Sequence, residues 1–342
     1  MKRKITAILL ALTMALGLAA CGTASTGSST TAPASGTGTE APATTNYPTK
    51  AITILCPWSA GGGSDLAIRT LVPYLEEELG TSITVVNSTG ANGWIAWLEL
   101  YNSEPDGYTI AQMNIPTFST GYLDRTFERE HISLDDFIPL CNEISDWGCL
   151  VVKAGRFATA EGFVEYAKTN TMTAGDSGQG TNKHVLTEKL KNELNLQLTA
   201  LHQAGWSETY AAILGGHIDV GWGSIGECLQ GYEDGEVEVL AVFAPERSKV
   251  MPDVPTFEEC GFPLITSPSD RGYVAPAGLD PEILAVLDAA FDAAINNPEF
   301  VATMEGLGQS VNYMDRGTYT QYCIDNEDDL RSYADIMGWD MA

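Results

Sequence analysis

The strongest constraint on how this chain folds is a recurrence of three kinds of segment. From Ala51 an apolar run, "AITILC", leads into a glycine-rich turn, "PWSAGGGSD", then an amphipathic stretch and a second apolar run, "SITVVN". Short apolar runs bounded by turn residues read as buried strands, and the longer stretch between them reads as a helix. The spacing predicts a helix with Ser64 as its N-cap, Leu66, Leu71, Leu75 and Leu79 along one side, a kink at Pro73 and a stop at Gly80. "GWIAWLELYNS" and "GYTIAQMN" continue the series as helix and strand. A β-α-β-α-β order predicts parallel strands joined by right-handed crossovers.

The same grammar returns later. "CLVVK" reads as a strand, "TAEGFVEYAKTN" as a helix opened by a Thr cap, and "MTAGDSGQGTNKHVLTEKLKNEL" as strand, glycine loop and helix. "LQLTALH", "HIDVGW" and "VEVLAVF" read as strands and "SETYAAILGG" as a helix. "DPEILAVLDAAFDAAINNP" and "RGTYTQYCIDNEDDLRSYADIMGW" read as closing helices. Each half thus sets a glycine-rich turn between a strand and a helix. Glycine lets backbone approach a ligand closely, and a helix start offers N–H groups that lack intrahelical partners. Ligands of open parallel sheets sit beyond the carboxyl ends of the strands. Two such turns facing each other predict a cradle for a carboxylate or phosphate that needs no cationic side chain.

Composition narrows the partners. Of 342 residues, 18 are Lys or Arg and 45 are Asp or Glu, for a net charge of −27, which argues against nucleic acid. With 44% hydrophobic residues the chain can build a sizeable core and two domains. The first 21 residues carry a basic start, "MKRK", then an apolar stretch and "LAAC". That pattern reads as a secretory signal, and the Cys after Leu-Ala-Ala resembles a bacterial lipobox, predicting lipid attachment at Cys21. An ordinary signal peptide with an incidental Cys, or an uncleaved anchor, is the plainer reading. Residues 22–46 hold almost no large apolar side chains and read as a flexible tether. The remaining cysteines (Cys56, Cys141, Cys149, Cys228, Cys260 and Cys323) show no metal-site spacing, so no metal or cofactor is expected. Disulfides are permitted outside the cell but their pairing stays open, and Cys56 fits equally as a small buried hydrophobe.

Four segments, "YPTKAITILCPWSAGGGSDLAIR", "PDGYTI", "VEVLAVFAPERSKVMPDVPTFEECGFP" and "APAGLDPEILAVLDAAFDAAINNPEF", resemble the solute-binding proteins of tripartite tricarboxylate transporters, the Bug family. The resemblance runs from Tyr47 to the C-terminus. It implies a two-domain α/β periplasmic-binding-protein fold of type II-like architecture, with parallel-rich sheets, helices on both faces and a ligand cleft between domains. Residues 47–146 with 270–342 would form one domain and 147–269 the other, hinged near Trp147 and Ser269. The ligand would be a small organic carboxylate, whether di- or tricarboxylate or amino acid.

Carried over position by position, the first loop of the resemblance is Trp58, Ser59, Ala60, Gly61, Gly62, Gly63, Ser64 and Asp65. The second is Ser177, Gly178, Gln179, Gly180 and Thr181, with Asn182 opening a helix, and a further pocket edge is Ala204, Gly205 and Trp206. The chain departs from the family at Trp58 (usually Phe), at "NSTGANGW", at Gly223 (often Asp) and at Asp270-Arg271 (usually Trp-Phe). The implied role is that of a monomeric, membrane-anchored, extracytoplasmic binding protein that delivers solute to permease subunits. A ligand-presenting component of a signalling receptor is the alternative.

Individual residues carry two readings each. Asp65 binds a ligand ammonium or merely favours its helix start. Arg271 pairs a second ligand carboxylate or, as favoured here, makes a structural salt bridge. Trp58, Trp94 and Trp206 are candidates for the cleft, Trp97 and Trp222 for the core, and His184 for a plain helix position. "GDSG" matches a serine-protease motif, but Ser177 precedes a helix in a βα series and the elbow motif G-x-S-x-G breaks at Gln179. The chain is therefore not expected to be an enzyme; a hydrolase using Ser177 is the remote alternative.

Overall fold

The computed structural model describes residues 46–124, 132–203 and 205–339. Cys21, the signal segment, the tether up to residue 45 and Ala204 lie outside them. The first series of elements is β1 (Ile52–Cys56), α1 (Gly63–Leu79), β2 (Ile83–Asn87), α2 (Trp94–Tyr101), β3 (Thr109–Ile115) and α3 (Thr117–Leu123). Next come β4 (Phe137–Lys153), α4 (Ala160–Ala167), β5 (Met172–Asp176), α5 (Asn182–Leu194), β6 (Leu198–His202) and α6 (Trp206–Leu214). The chain continues through β7 (Val220–Ser224), α7 (Ile225–Glu233), β8 (Val237–Phe243) and β9 (Pro268–Pro276). It closes with α8 (Pro281–Ile295), α9 (Pro298–Gly306), β10 (Val311–Met314), α10 (Arg316–Ser332) and α11 (Ala334–Met337).

The strands run β2-β1-β3-β9-β4-β7-β5-β6, with β8 and β10 also paired to β4. At the two ends the pairing is parallel, β1 with β2 and β3 and β5 with β6 and β7. At the centre it is antiparallel, because β9 lies against both β3 and β4. The sheet is thus mixed, with βαβ units flanking crossover strands. β4 joins the two groups. Its Phe137–Trp147 portion pairs with β9, and its Gly148–Lys153 portion pairs with β7 and β8.

The period-2 alternation of a strand sends successive side chains to opposite faces. Ile54 enters a core with Leu71 and Leu75 of α1 and Phe291 of α8, whereas Leu55 enters a second core with Trp97, Phe118 and Tyr319. β4 repeats this in the other group. Leu150 and Val152 pack with Phe163, Leu186 and Trp222, and Cys149 and Val151 pack with Ile213, Ile225 and Cys228. Helices therefore cover both faces. Trp97 and Trp222 lie fully buried in these cores, as expected.

Several local expectations need correction. The buried stripe of α1 is Ile68, Leu71, Leu75 and Leu79, and Leu66 is exposed, because the helix starts at Gly63 and Leu66 falls on its outer side. Its N-cap is Gly62, so Ser64 already sits within the first turn. The helix continues as one element past Pro73 to Gly80, whose left-handed conformation stops it. "CLVVK" is only the end of a 17-residue strand. Trp94 is buried against Phe118, with ring centroids 5.6 Å apart, rather than facing the cleft. The six described cysteines are all free thiols. Among the described residues no helix is long and apolar enough to cross a membrane.

Candidate ligand-binding cleft

The first glycine loop leaves a helix start uncapped. Gly62 occupies the N-cap of α1 with extended backbone and has no side chain to accept from the first turn. The N–H groups of Gly63 and Ser64 lack intrahelical partners, as helix starts do, and among the described residues nothing else bonds them. The helix dipole adds a partial positive charge at the same place.

The loop is braced from behind. Asp65 Oδ2 accepts the Gly61 N–H at 2.8 Å, and the same carboxylate accepts Arg69 Nε at 2.9 Å and Asn87 Nδ2 at 2.8 Å. Burial alone would raise the Asp65 carboxyl, but Arg69, Gly61 and Asn87 outweigh it and hold it at about 2. Asn87 Nδ2 also donates to the Trp58 carbonyl at 2.9 Å, and the Trp58 indole N–H donates to Asn114 Oδ1 at 2.7 Å. The ring of Trp58 is thereby fixed as a wall.

The second loop spends more of its donors on itself. Gly178 N–H donates to Asp176 Oδ1 at 2.9 Å and Gly180 N–H to His184 Nδ1 at 3.1 Å. Thr181 caps α5, accepting from His184 N–H while its hydroxyl donates to the Gly178 carbonyl. His184 is thus a loop brace rather than a plain helix residue. Burial, first, and the neighbouring His202 lower its pKa, against the pull of Asp176, which favours a neutral ring. Gly180 O in turn accepts the Thr120 hydroxyl of α3 at 2.7 Å.

Between the two loops lies a cavity of about 330 Å³. Trp58, Ser59, Gly62, Gly63 and Ser64 line one side. Ser177, Thr181, Asn182, Gly205 and Trp206 line the other. Ala60, Gly61, Asp65, Gly178, Gln179 and Gly180 are not on its wall, and act in or behind the loops.

Four charged residues share the cavity wall: Asp146, Lys183, Glu227 and Arg271. Arg271 Nη2 donates to Asp146 Oδ2 at 2.9 Å and Nη1 to Gln309 Oε1 at 3.2 Å. Arg271 therefore makes the favoured salt bridge and also faces the cleft. Burial pushes Asp146 up, and the guanidinium opposes it. Lys183 Nζ donates to Glu227 Oε2 at 2.6 Å. Burial disfavours both charges of this pair, but each partner outweighs it, raising Lys183 and lowering Glu227. Sequence reading missed Asp146, Lys183 and Glu227. Glu227 had a signal: Ser224 and Glu227 form a capping box at the start of α7, which marks a helix start at the end of β7.

Among the described residues no catalytic serine arrangement is present. Asp176 holds His202 Nδ1 at 2.8 Å, and His202 lies edge-on to His184, but neither imidazole bonds Ser177 among the described residues.

The geometry is that of a binding cleft, and comparison with known proteins agrees. The model for the tripartite tricarboxylate transporter family receptor matches residues 67–334. This chain belongs to that family. Its relatives include a Cupriavidus necator protein of the UPF0065 group, 28% identical over 82% of this chain and 85% of that one. A TctC solute-binding protein from Polaromonas, solved without ligand, is 25% identical, with a TM-score of 0.72 over 84% of this chain and 99% of that chain. MatC from Rhodopseudomonas palustris, solved with bound malate, shares the fold at 22% identity, with a TM-score of 0.71 over 85% of this chain and 100% of that chain. Like its family, the tripartite tricarboxylate transporter receptors, the chain is a solute-binding protein and not an enzyme.

Proposed function

We propose that this receptor captures a small organic carboxylate between its two glycine loops and passes it to the permease subunits of a tripartite tricarboxylate transporter. It does so outside the cell membrane, held there by lipid at Cys21. The observation that carries the reading is the uncapped start of α1. Two unpaired amides at a helix N-terminus face a cavity whose far wall offers the Ser177 hydroxyl and the start of α5. A carboxylate satisfies such amides without requiring a free cation. Malate in MatC supports the ligand class.

The two domains are taken as 47–146 with 270–342, and 147–269. β4 and β9 then form the hinge, and closure brings the second loop's donors onto a ligand seated on the first. Titration calorimetry with mono-, di- and tricarboxylates against neutral sugars tests this. Binding of at least one acid and no sugar is expected; sugar binding with no acid binding refutes it. Radiolabelled fatty acid should be incorporated by the full chain and lost in Cys21→Ala, and crosslinking in membranes should recover permease subunits.

A further inference from the structure

The four charges on the cavity wall bear on which acids fit, and this inference rests on the carboxylate reading above. Both cations already have anionic partners: Arg271 holds Asp146 at 2.9 Å and Lys183 holds Glu227 at 2.6 Å. The first pair is almost wholly buried, and the Lys183 side chain is 8% exposed. The wall is therefore electrically balanced before any ligand enters. Asp65 adds nothing, since its carboxylate is consumed by the loop. A ligand's first carboxylate goes to the amides of Gly63 and Ser64. A second carboxylate would have to displace Asp146 from Arg271, leaving a buried carboxylate without its partner, or compete with Glu227 for the buried Lys183. The free valences on the wall point to the opposite chemistry. Asp146 Oδ1 is buried with no hydrogen-bond partner, and Glu227 is 37% exposed toward solvent. Asp146 Oδ1 lacks a donor, and Glu227, whose Oε2 already accepts Lys183 and the Ser224 N–H, keeps its other oxygen open to accept from a ligand.

We infer that Asp146 and Glu227 set specificity by accepting from the far end of the ligand, so that this receptor selects acids with one carboxylate and a hydrogen-bond donor at the other end over dicarboxylates. Trp58 and Trp206 supply apolar walls for the carbon chain between the two ends.

The test is calorimetry on the intact mature protein with matched series of three to six carbons: the simple monocarboxylate, its terminal hydroxy and amino derivatives, and the dicarboxylate. In the wild type the best hydroxy or amino acid should bind at least tenfold tighter than the dicarboxylate and the simple acid of equal length. The hydroxy and amino arms distinguish a neutral from a cationic donor. Asp146→Asn releases Arg271 from its neutralising partner and should shift the ratio of dicarboxylate to donor-tipped binding at least tenfold toward the dicarboxylate. Should that variant not fold, Glu227→Gln frees Lys183 and should shift the ratio the same way. A wild type that prefers dicarboxylates, or a ratio unmoved in the folded variant, overturns this inference while leaving the carboxylate reading intact. Failure of every acid to bind overturns both.

Discussion

Asp65 closes the first glycine loop onto its own helix, its carboxylate oxygen 2.8 Å from the Gly61 amide nitrogen. The two are four positions apart, so one acid at the start of α1 sets the shape of the loop before it. Gly61 has a left-handed φ of 79°, which favours glycine, and the bond to Asp65 holds it there. The acid for which the sequence offered both a ligand contact and a helix-start role has its carboxylate engaged by Gly61, Arg69 and Asn87 and braces the loop backbone.

Replacing Asp65 by Asn should therefore loosen the loop, weakening carboxylate binding about tenfold, which corresponds to about 1.4 kcal/mol. It should also change the acid limb of stability. The carboxyl of folded Asp65 is held at about 2, below its usual value. The stabilisation it gives is complete above the usual carboxylate range and is lost as pH falls toward 2. Thermal melts from pH 5 to pH 2 should show a steeper decline for the wild type than for Asp65→Asn. Parallel curves would contradict the bracing role.

Glu143 predicts the opposite sign. It is fully buried on β4, its Oε2 accepting the Tyr273 hydroxyl at 2.9 Å while Oε1 has no partner. Burial pushes its carboxyl up to about 7, against the lowering effects of Tyr273 and Arg271. A raised acid contributes stability below its unfolded pKa and loses it as pH climbs through the folded value. Glu143→Gln should melt increasingly above the wild type as pH rises from 5 to 8. A difference that stays flat across that range would show that Glu143 is already ionised in the folded protein at pH 5.

Thr120 ties α3 to the second glycine loop through its 2.7 Å bond to Gly180 O. Thr120→Val keeps the shape and deletes the donor, leaving a buried carbonyl unsatisfied at a cost of about 1–3 kcal/mol. Chemical denaturation should show a loss in that range, and small-angle scattering a larger radius of gyration for the unliganded protein. An unchanged radius with the full stability loss would assign Thr120 a local role only.

Much of this molecule was legible in its sequence, for reasons that particular residues make plain. The strand Ile52–Cys56 announces itself as a short, nearly continuous apolar run buried on both faces, and the helix over Pro281–Ile295 by a single helical period of burial. β4 did not, because Asn142, Glu143, Ser145 and Asp146 interrupt its apolar run, and their burial is supported by partners on β9, β10 and elsewhere that no local window contains. The glycine loops were visible as motifs. Which of their amides stay unpaired was not, since that depends on Asp65, His184 and Thr120 reaching back into them. The charged wall was hidden most deeply. Asp146 and Arg271 are 125 positions apart, and Lys183 and Glu227 are 44 apart, so their pairing exists only in the fold.

The unpaired amides of α1 carry the whole functional reading, and one substitution addresses them alone. Gly62→Asp places a carboxylate at an N-cap whose extended backbone suits it, with the new Cβ 3.2 Å from the Ser59 carbonyl oxygen, a tight contact that requires the loop to give by a few tenths of an ångström. The new side chain should cap the amides of the first turn, which stabilises a helix start by a few tenths of a kcal/mol relative to Gly. It should also occupy the position of the ligand's carboxylate. Calorimetry on wild type and variant, with the best acid from the panel, is the direct measurement. The account predicts an equal or higher melting temperature together with at least a hundredfold loss of affinity. A folded Gly62→Asp variant that binds the acid as tightly as the wild type would contradict it.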